Sequence, residues 1–127
     1  YALSADHHDP LFVQAQKVRA RMTEDVQNVL KDYDIIVGPS AASVAYDFKA
    51  QADPARSRMD DILATPANLA GIPALSVPCG FVDGLPVGLQ LMGKHFDELT
   101  LYQVAHAYEQ TTKFYEQQPQ LAGGANA

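Results

Sequence analysis

The side chains able to attack a carbonyl are the hydroxyls of Ser4, Ser40, Ser43, Ser57 and Ser76 and the thiol of Cys79. A serine attacks poorly until an adjacent base takes its proton, and none of these serines has a neighbouring base in the sequence. Cys79 lies within a strand-like run with no adjacent His, which suits a small packing residue better than a reactive thiol. His7-His8-Asp9 has the right atoms for a metal. Adjacent histidines diverge, however, and no second ligand cluster exists, so no metal site is expected. No catalytic residue is assigned.

Two polar features remain. Asp60-Asp61 precedes Ile62-Leu63-Ala64-Thr65-Pro66. Carboxylates in a first helical turn are favoured by the helix dipole, and periodicity alone requires nothing more of them. On a helical wheel Asp61 points away from Met59, Ile62 and Leu63, toward solvent or a cleft. Gln90 is the strongly polar side chain on an otherwise apolar strand. It could face a ligand, although a satisfied buried amide is the simpler reading.

The elements that must place these residues follow from pattern. Asp9-Pro10 has the form of an N-cap and first helical residue. Behind it Leu11, Ala15, Val18, Met22, Val26, Val29 and Leu30 recur at three- and four-residue steps, predicting one long amphipathic helix to about Lys31. Asp34-Ile35-Ile36-Val37, stopped by Gly38-Pro39, suits a short strand buried on both faces. A loop rich in Ala, Ser and Asp follows from Ser40 to about Arg56. Ser57-x-x-Asp60 has the spacing of a capping box, opening a short helix with Met59, Ile62 and Leu63 inward. Thr65-Pro66 then caps a second turn closed by Gly71.

Alternation in Ala74–Phe81 and Pro86–Lys94 predicts two strands joined at Asp83-Gly84. Asp97 caps a last helix with Leu101, Val104, Ala105 and Tyr108 on one face. The order α-β-α-β-β-α places the chain in the α/β class, with residues 120–127 a flexible tail. Between residues 63 and 94 four prolines and five glycines interrupt strand-forming residues. Such a segment needs bends, or a backbone that another group approaches closely.

Composition narrows the function. The chain has 127 residues, 47% hydrophobic and 19% charged, with a net charge of −6. That is ordinary globular material. The basic residues are scattered apart from Lys17, Arg19 and Arg21, which argues against direct nucleic-acid binding, since phosphate contacts need clustered cations. One cysteine fits a reducing compartment. No apolar run approaches the ~20 residues of a membrane span, so a cytoplasmic protein is the expectation. The opening Tyr1-Ala2-Leu3-Ser4 has the look of an interior segment, and a piece of a larger protein is expected.

The string P-x-N-L-A-G-x-P-x-x-S-V-P-C-G, then G-L-P-V-G-L-Q-L-x-G-K, then F-D-E, resembles the C-terminal hallmark of the amidase signature family. Within it the chain is most similar to the A subunits of glutamine-dependent aminoacyl-tRNA amidotransferases. Tyr1-Ala2-Leu3-Ser4, Tyr33 to Pro39, Val104-Ala105-His106 and Tyr108-Glu109 share in the match, which runs to about Pro119. The resemblance implies the C-terminal part of an amidase-signature fold, a mixed β-sheet flanked by helices, with residues 1–119 belonging to a single amidase domain.

It also implies an acyl-transfer enzyme whose serine nucleophile, second serine and lysine lie upstream of this chain. No GSSGGS-like run is present, so the chain alone is expected to be inert. In the resembling proteins an Asp just before the hydrophobic-Thr-Pro step holds the ammonium of glutamine. By position that is Asp61, with Gln90 a weaker substrate-binding candidate. Asp60 stands where the family usually has Asn, and His95 where it usually has Pro. The implied partners are amidotransferase B and C subunits. No cofactor is implied in this chain, ATP and Mg being used by the partner. A stand-alone amidase acting on another amide, or a non-catalytic α/β assembly module, are the alternatives.

Overall fold

The structure is a computed structural model that describes residues 10–46, 59 and 61–118. Tyr1-Ala2-Leu3-Ser4, His7-His8-Asp9, Ser57, Asp60 and the tail from residue 120 lie outside the described residues.

Helix α1 spans Pro10–Asp32 and begins on the proline, as a ring with φ already set allows. Its apolar stripe is only partly used. Leu30 is buried, and Val26 packs beside it against Ala67, Ala70 and Ile72. Farther back Leu11 is 72% and Val18 51% exposed.

Strand β1 covers Ile35–Pro39, so Gly38 and Pro39 continue the strand where the sequence suggests a stop. Strands β2 (Ala74–Val82) and β3 (Leu85–Gly93) form a hairpin. The turn is Asp83-Gly84, as expected, with φ of 52° and 77°. Positive φ at both central residues matches the right-handed twist of the strands, and glycine takes it without steric cost. All pairings are antiparallel, in the order β1-β3-β2. β1 is therefore an outer strand of the sheet formed by the described residues, with Val37 exposed, not a strand covered on both faces. A run of β-branched residues does not distinguish those two settings. Pro78 is accommodated beside a bulge between Pro78 and Gly80 on the other outer strand, where a missing N–H costs least.

Helix α2 is Thr65–Ala70, with Pro66 in its first turn and Gly71 closing it in the left-handed conformation, its N–H donating to the Ala67 carbonyl. The expected inward face of the turn before it does not form. Met59 and Ile62 are both more than half exposed, since that turn is short and no described element packs over it. Helix α3 is Glu98–Thr112, and its cap is Asp97, as the sequence predicts. The Asp97 carboxylate accepts from the Thr100 N–H at 3.4 Å and the Thr100 hydroxyl at 2.8 Å.

Two apolar layers sandwich the sheet. Val77 and Leu91 meet Leu101 and Ala105 of α3, with Ile35, Leu75 and Leu89 around them. On the other face Ile36 and Met92 pack on the α1–α2 cluster. Strand alternation then places Ser76, Gly88 and Gln90 on the α1–α2 side.

Candidate functional site

Asp61 is exposed and stands four residues before α2 begins. Its main chain is fixed by the helix that follows. The Asp61 carbonyl accepts from the Thr65 hydroxyl at 2.8 Å and from the Ala64 N–H at 3.2 Å, and Asn68 donates to the Ala64 carbonyl at 3.0 Å. Thr65 therefore holds the Asp61 loop from inside the helix instead of capping it; the N-cap is Ala64, one residue earlier than expected. The Asp61 carboxylate itself makes no ion pair among the described residues. It is an anion on a pinned backbone with its oxygens open to a cationic group.

Gln90 sits on the inner strand, opposite Ser76 on one side and Gly38 on the other. It is the buried polar residue of the described chain, 8% exposed. The register does not bring Asp61 and Gln90 into hydrogen-bond contact, though α2 and Gln90 share one side of the sheet.

The serines behave differently from what the sequence suggests. Ser40, just past β1, and Ser76, on β2, lie 36 positions apart, yet their hydroxyl oxygens are 2.5 Å from one another. They meet over Gly88, whose hydrogen stands where a Cβ would be 2.7 Å from the Ser40 Oγ and 2.8 Å from the Ser76 Oγ. The Ser40 N–H donates to the Gly88 carbonyl at 2.9 Å, fixing the approach. The signal for this pairing is a glycine in mid-strand, which marks a close approach, but its partners depend on register. Neither hydroxyl is hydrogen-bonded to a Lys or His among the described residues, so the pair has no base to activate it.

Cys79 is free and only half-buried. It falls at the bulge, where it has no partner across the ladder, instead of within the packed core. His95 is exposed in the turn after β3 and its ring lies tilted at 60° against that of Phe96, centroids 4.1 Å apart. The described residues contain no group of three or more His, Cys, Asp or Glu arranged to hold a metal, and none of their helices is long and apolar enough to cross a membrane. A cleft of about 380 Å³ opens between the end of α1 and the end of β3, lined by Gln27, Leu30, Lys31, Ile72, Lys94 and His95. It includes neither Asp61 nor Gln90, and the site rests on their chemistry, not on the size of this cleft.

The chain as a whole is similar to known proteins. The Amidase family model matches residues 1–102. The chain is similar to the A subunit of glutamyl-tRNA(Gln) amidotransferase from Geobacillus thermodenitrificans, 52% identical over 122 residues, which is 95% of this chain and 25% of that protein. Its counterpart in Streptococcus sanguinis is 50% identical over 98% of this chain and 26% of its own length. The crystal structure of the counterpart from Thermotoga maritima superposes with a TM-score of 0.76 at 38% identity, over 81% of this chain and 23% of that one. Peptide amidase from Stenotrophomonas maltophilia gives 0.70 at 33%, over 95% of this chain and 24% of that one. The chain thus spans about a quarter of the length of the curated relatives it matches. With the family model matched along most of the chain and the fold shared with solved members, the chain belongs to the amidase family.

Proposed function

We propose that this chain is the C-terminal portion of the A subunit of a glutamyl-tRNA(Gln) amidotransferase, which hydrolyses glutamine and supplies ammonia for amidating glutamyl-tRNA(Gln). The observation that carries this reading is the 52% identity to such a protein across 95% of the chain, well above the 33% shared with a peptide amidase. In this reading the nucleophilic serine and its lysine belong to the remainder of the parent protein. This chain supplies strands, α2 and the acidic ligand Asp61. B and C subunits are the partners, with ATP and Mg serving the B subunit, in the cytoplasm.

The chemistry asked of Asp61 is recognition. Glutamine carries an ammonium beside its carboxylate, and a charge-assisted hydrogen bond from that ammonium to a fixed carboxylate selects it over neutral amides. Thr65 and Ala64 keep the Asp61 main chain in place for that contact. The stand-alone amidase is the second reading, favoured by the peptide amidase likeness over nearly the whole chain. The two separate in one assay of the full-length protein with its partner subunits. Ammonia release from glutamine, coupled to Gln-tRNA(Gln) formation, supports the first. Turnover of other carboxamides with glutamine ignored overturns it.

A further inference from the structure

The row Ser76–Gln90–Gly38 crosses the α1–α2 side of the sheet from one outer strand to the other. At its centre Gln90 is 8% exposed, and its side-chain amide has no hydrogen-bond partner among the described residues. A carboxamide withdrawn from water with its donors and acceptor unused costs about 1–3 kcal/mol, and roughly nine in ten buried polar groups in native proteins are satisfied. The surroundings leave room for a partner. No atom lies within 4 Å of where a Cβ on Gly38 would stand. The Ser40–Ser76 hydrogen bond uses one hydroxyl hydrogen, so the accepting serine keeps its own hydrogen to donate.

The chemistry of the missing partner follows. Ser40, Ser76, Gln90, Gly38 and Gly88 are all neutral, so a charged group would be desolvated there without compensation. A side-chain amide offers donors on one arm and an acceptor on the other, the complement of a peptide group with its N–H and C=O. A bare glycine beside it is what the approach of a second backbone requires. About three-quarters of the length of the relatives lies beyond what this chain spans.

We infer that Gln90, flanked by the Ser40–Ser76 pair and Gly38, is the seat of one main-chain peptide group from the part of the parent protein outside residues 1–127. Gln90 is then a positioning residue. It fixes the sheet face that carries α2, and with it the Asp61 loop, against the remainder of the enzyme. This rests on the proposed reading of the chain as a portion of a longer protein, and its kinetic readout rests on the proposed activity.

The test uses the full-length protein with its partner subunits, comparing the parent with Gln90→Leu and, as an exposed control, Gln103→Leu. Amide hydrogen exchange is expected to show a protected N–H outside this chain exchanging about tenfold faster in Gln90→Leu and unchanged in the control. With glutamine, kcat is expected to fall about tenfold while KM holds within about twofold, the pattern of lost alignment, not lost substrate contact. Gln90→Met keeps a similar length with neither the amide donors nor the amide acceptor, and is read in the same way should Gln90→Leu not fold. A rise in KM with no exchange change outside the chain makes Gln90 a substrate contact and overturns the inference. Unchanged exchange and kinetics leave the amide to water and overturn it as well. An unaltered parent that does not hydrolyse glutamine defeats the proposed function alone, because the exchange readout needs no turnover.

Discussion

Ser40 and Ser76 share a hydrogen bond 2.5 Å long directly over the α-carbon of Gly88. The contact ties the loop after β1 to β2 across the inner strand, and it exists only because residue 88 has no side chain. Gly88→Ala is expected to destabilise the parent protein by about 1–3 kcal/mol, the usual cost of overpacking. Ser40 supplies two of the three close atoms, so adding Ser40→Gly should recover part of the loss. Thermal or urea unfolding of the two single variants and the double variant measures that coupling. Strict additivity would mean that the three residues do not meet.

Leu91 is 2% exposed between the sheet and α3. Leu91→Ala removes methyl groups from a filled space and should cost about 2–5 kcal/mol. Leu91→Met nearly conserves volume and should cost less than about 1.5 kcal/mol. Equal losses for the two would place the residue outside a close-packed layer.

Asp97 satisfies both the N–H and the hydroxyl of Thr100 at the start of α3. Asp97→Ala should lower stability by about 0.5–2 kcal/mol, the range measured for lost N-caps. Asp97→Asn keeps an acceptor oxygen and should lose less. Chemical denaturation ranks the three proteins.

Asp61→Asn in the assembled enzyme removes the charge while keeping size. Loss of a charge-assisted hydrogen bond worth about 1.5–3 kcal/mol corresponds to a fall of roughly 10- to 150-fold in kcat/KM for glutamine. Amidation of glutamyl-tRNA(Gln) with added ammonium salt should be unaffected. An equal fall with both nitrogen sources would remove Asp61 from glutamine recognition.

Much of the scaffold is legible because local chemistry decides it. Pro10 starts α1, Asp83-Gly84 turns the hairpin, Gly71 ends α2 and Asp97 begins α3. Leu101, Val104, Ala105 and Tyr108 do form the packed face of the last helix. What pattern cannot supply is long-range. The apolar stripe of α1 marks a face, but how much of it is covered depends on neighbours, and Val18 remains exposed. Ile35-Ile36-Val37 suggests enclosure on both faces, while register makes it an outer strand. Spacing alone turns Met59 and Ile62 inward, and the short turn they occupy has no described element above it. The site divides in the same way. Asp61 stands out through resemblance and Gln90 through a polar interruption in an apolar strand. The Ser40–Ser76 contact joins residues 36 positions apart, and only the folded register reveals it.

Both outer strands of the sheet formed by the described residues carry a proline, Pro39 at the end of β1 and Pro78 within β2. An incoming chain trying to extend the sheet would find a gap in the row of donors on either flank. Beside Pro78 the bulge also throws the strand out of line. The geometry thus discourages stacking of like upon like, the route by which exposed strands seed fibrils. Replacing either proline would restore a donor on its own flank alone.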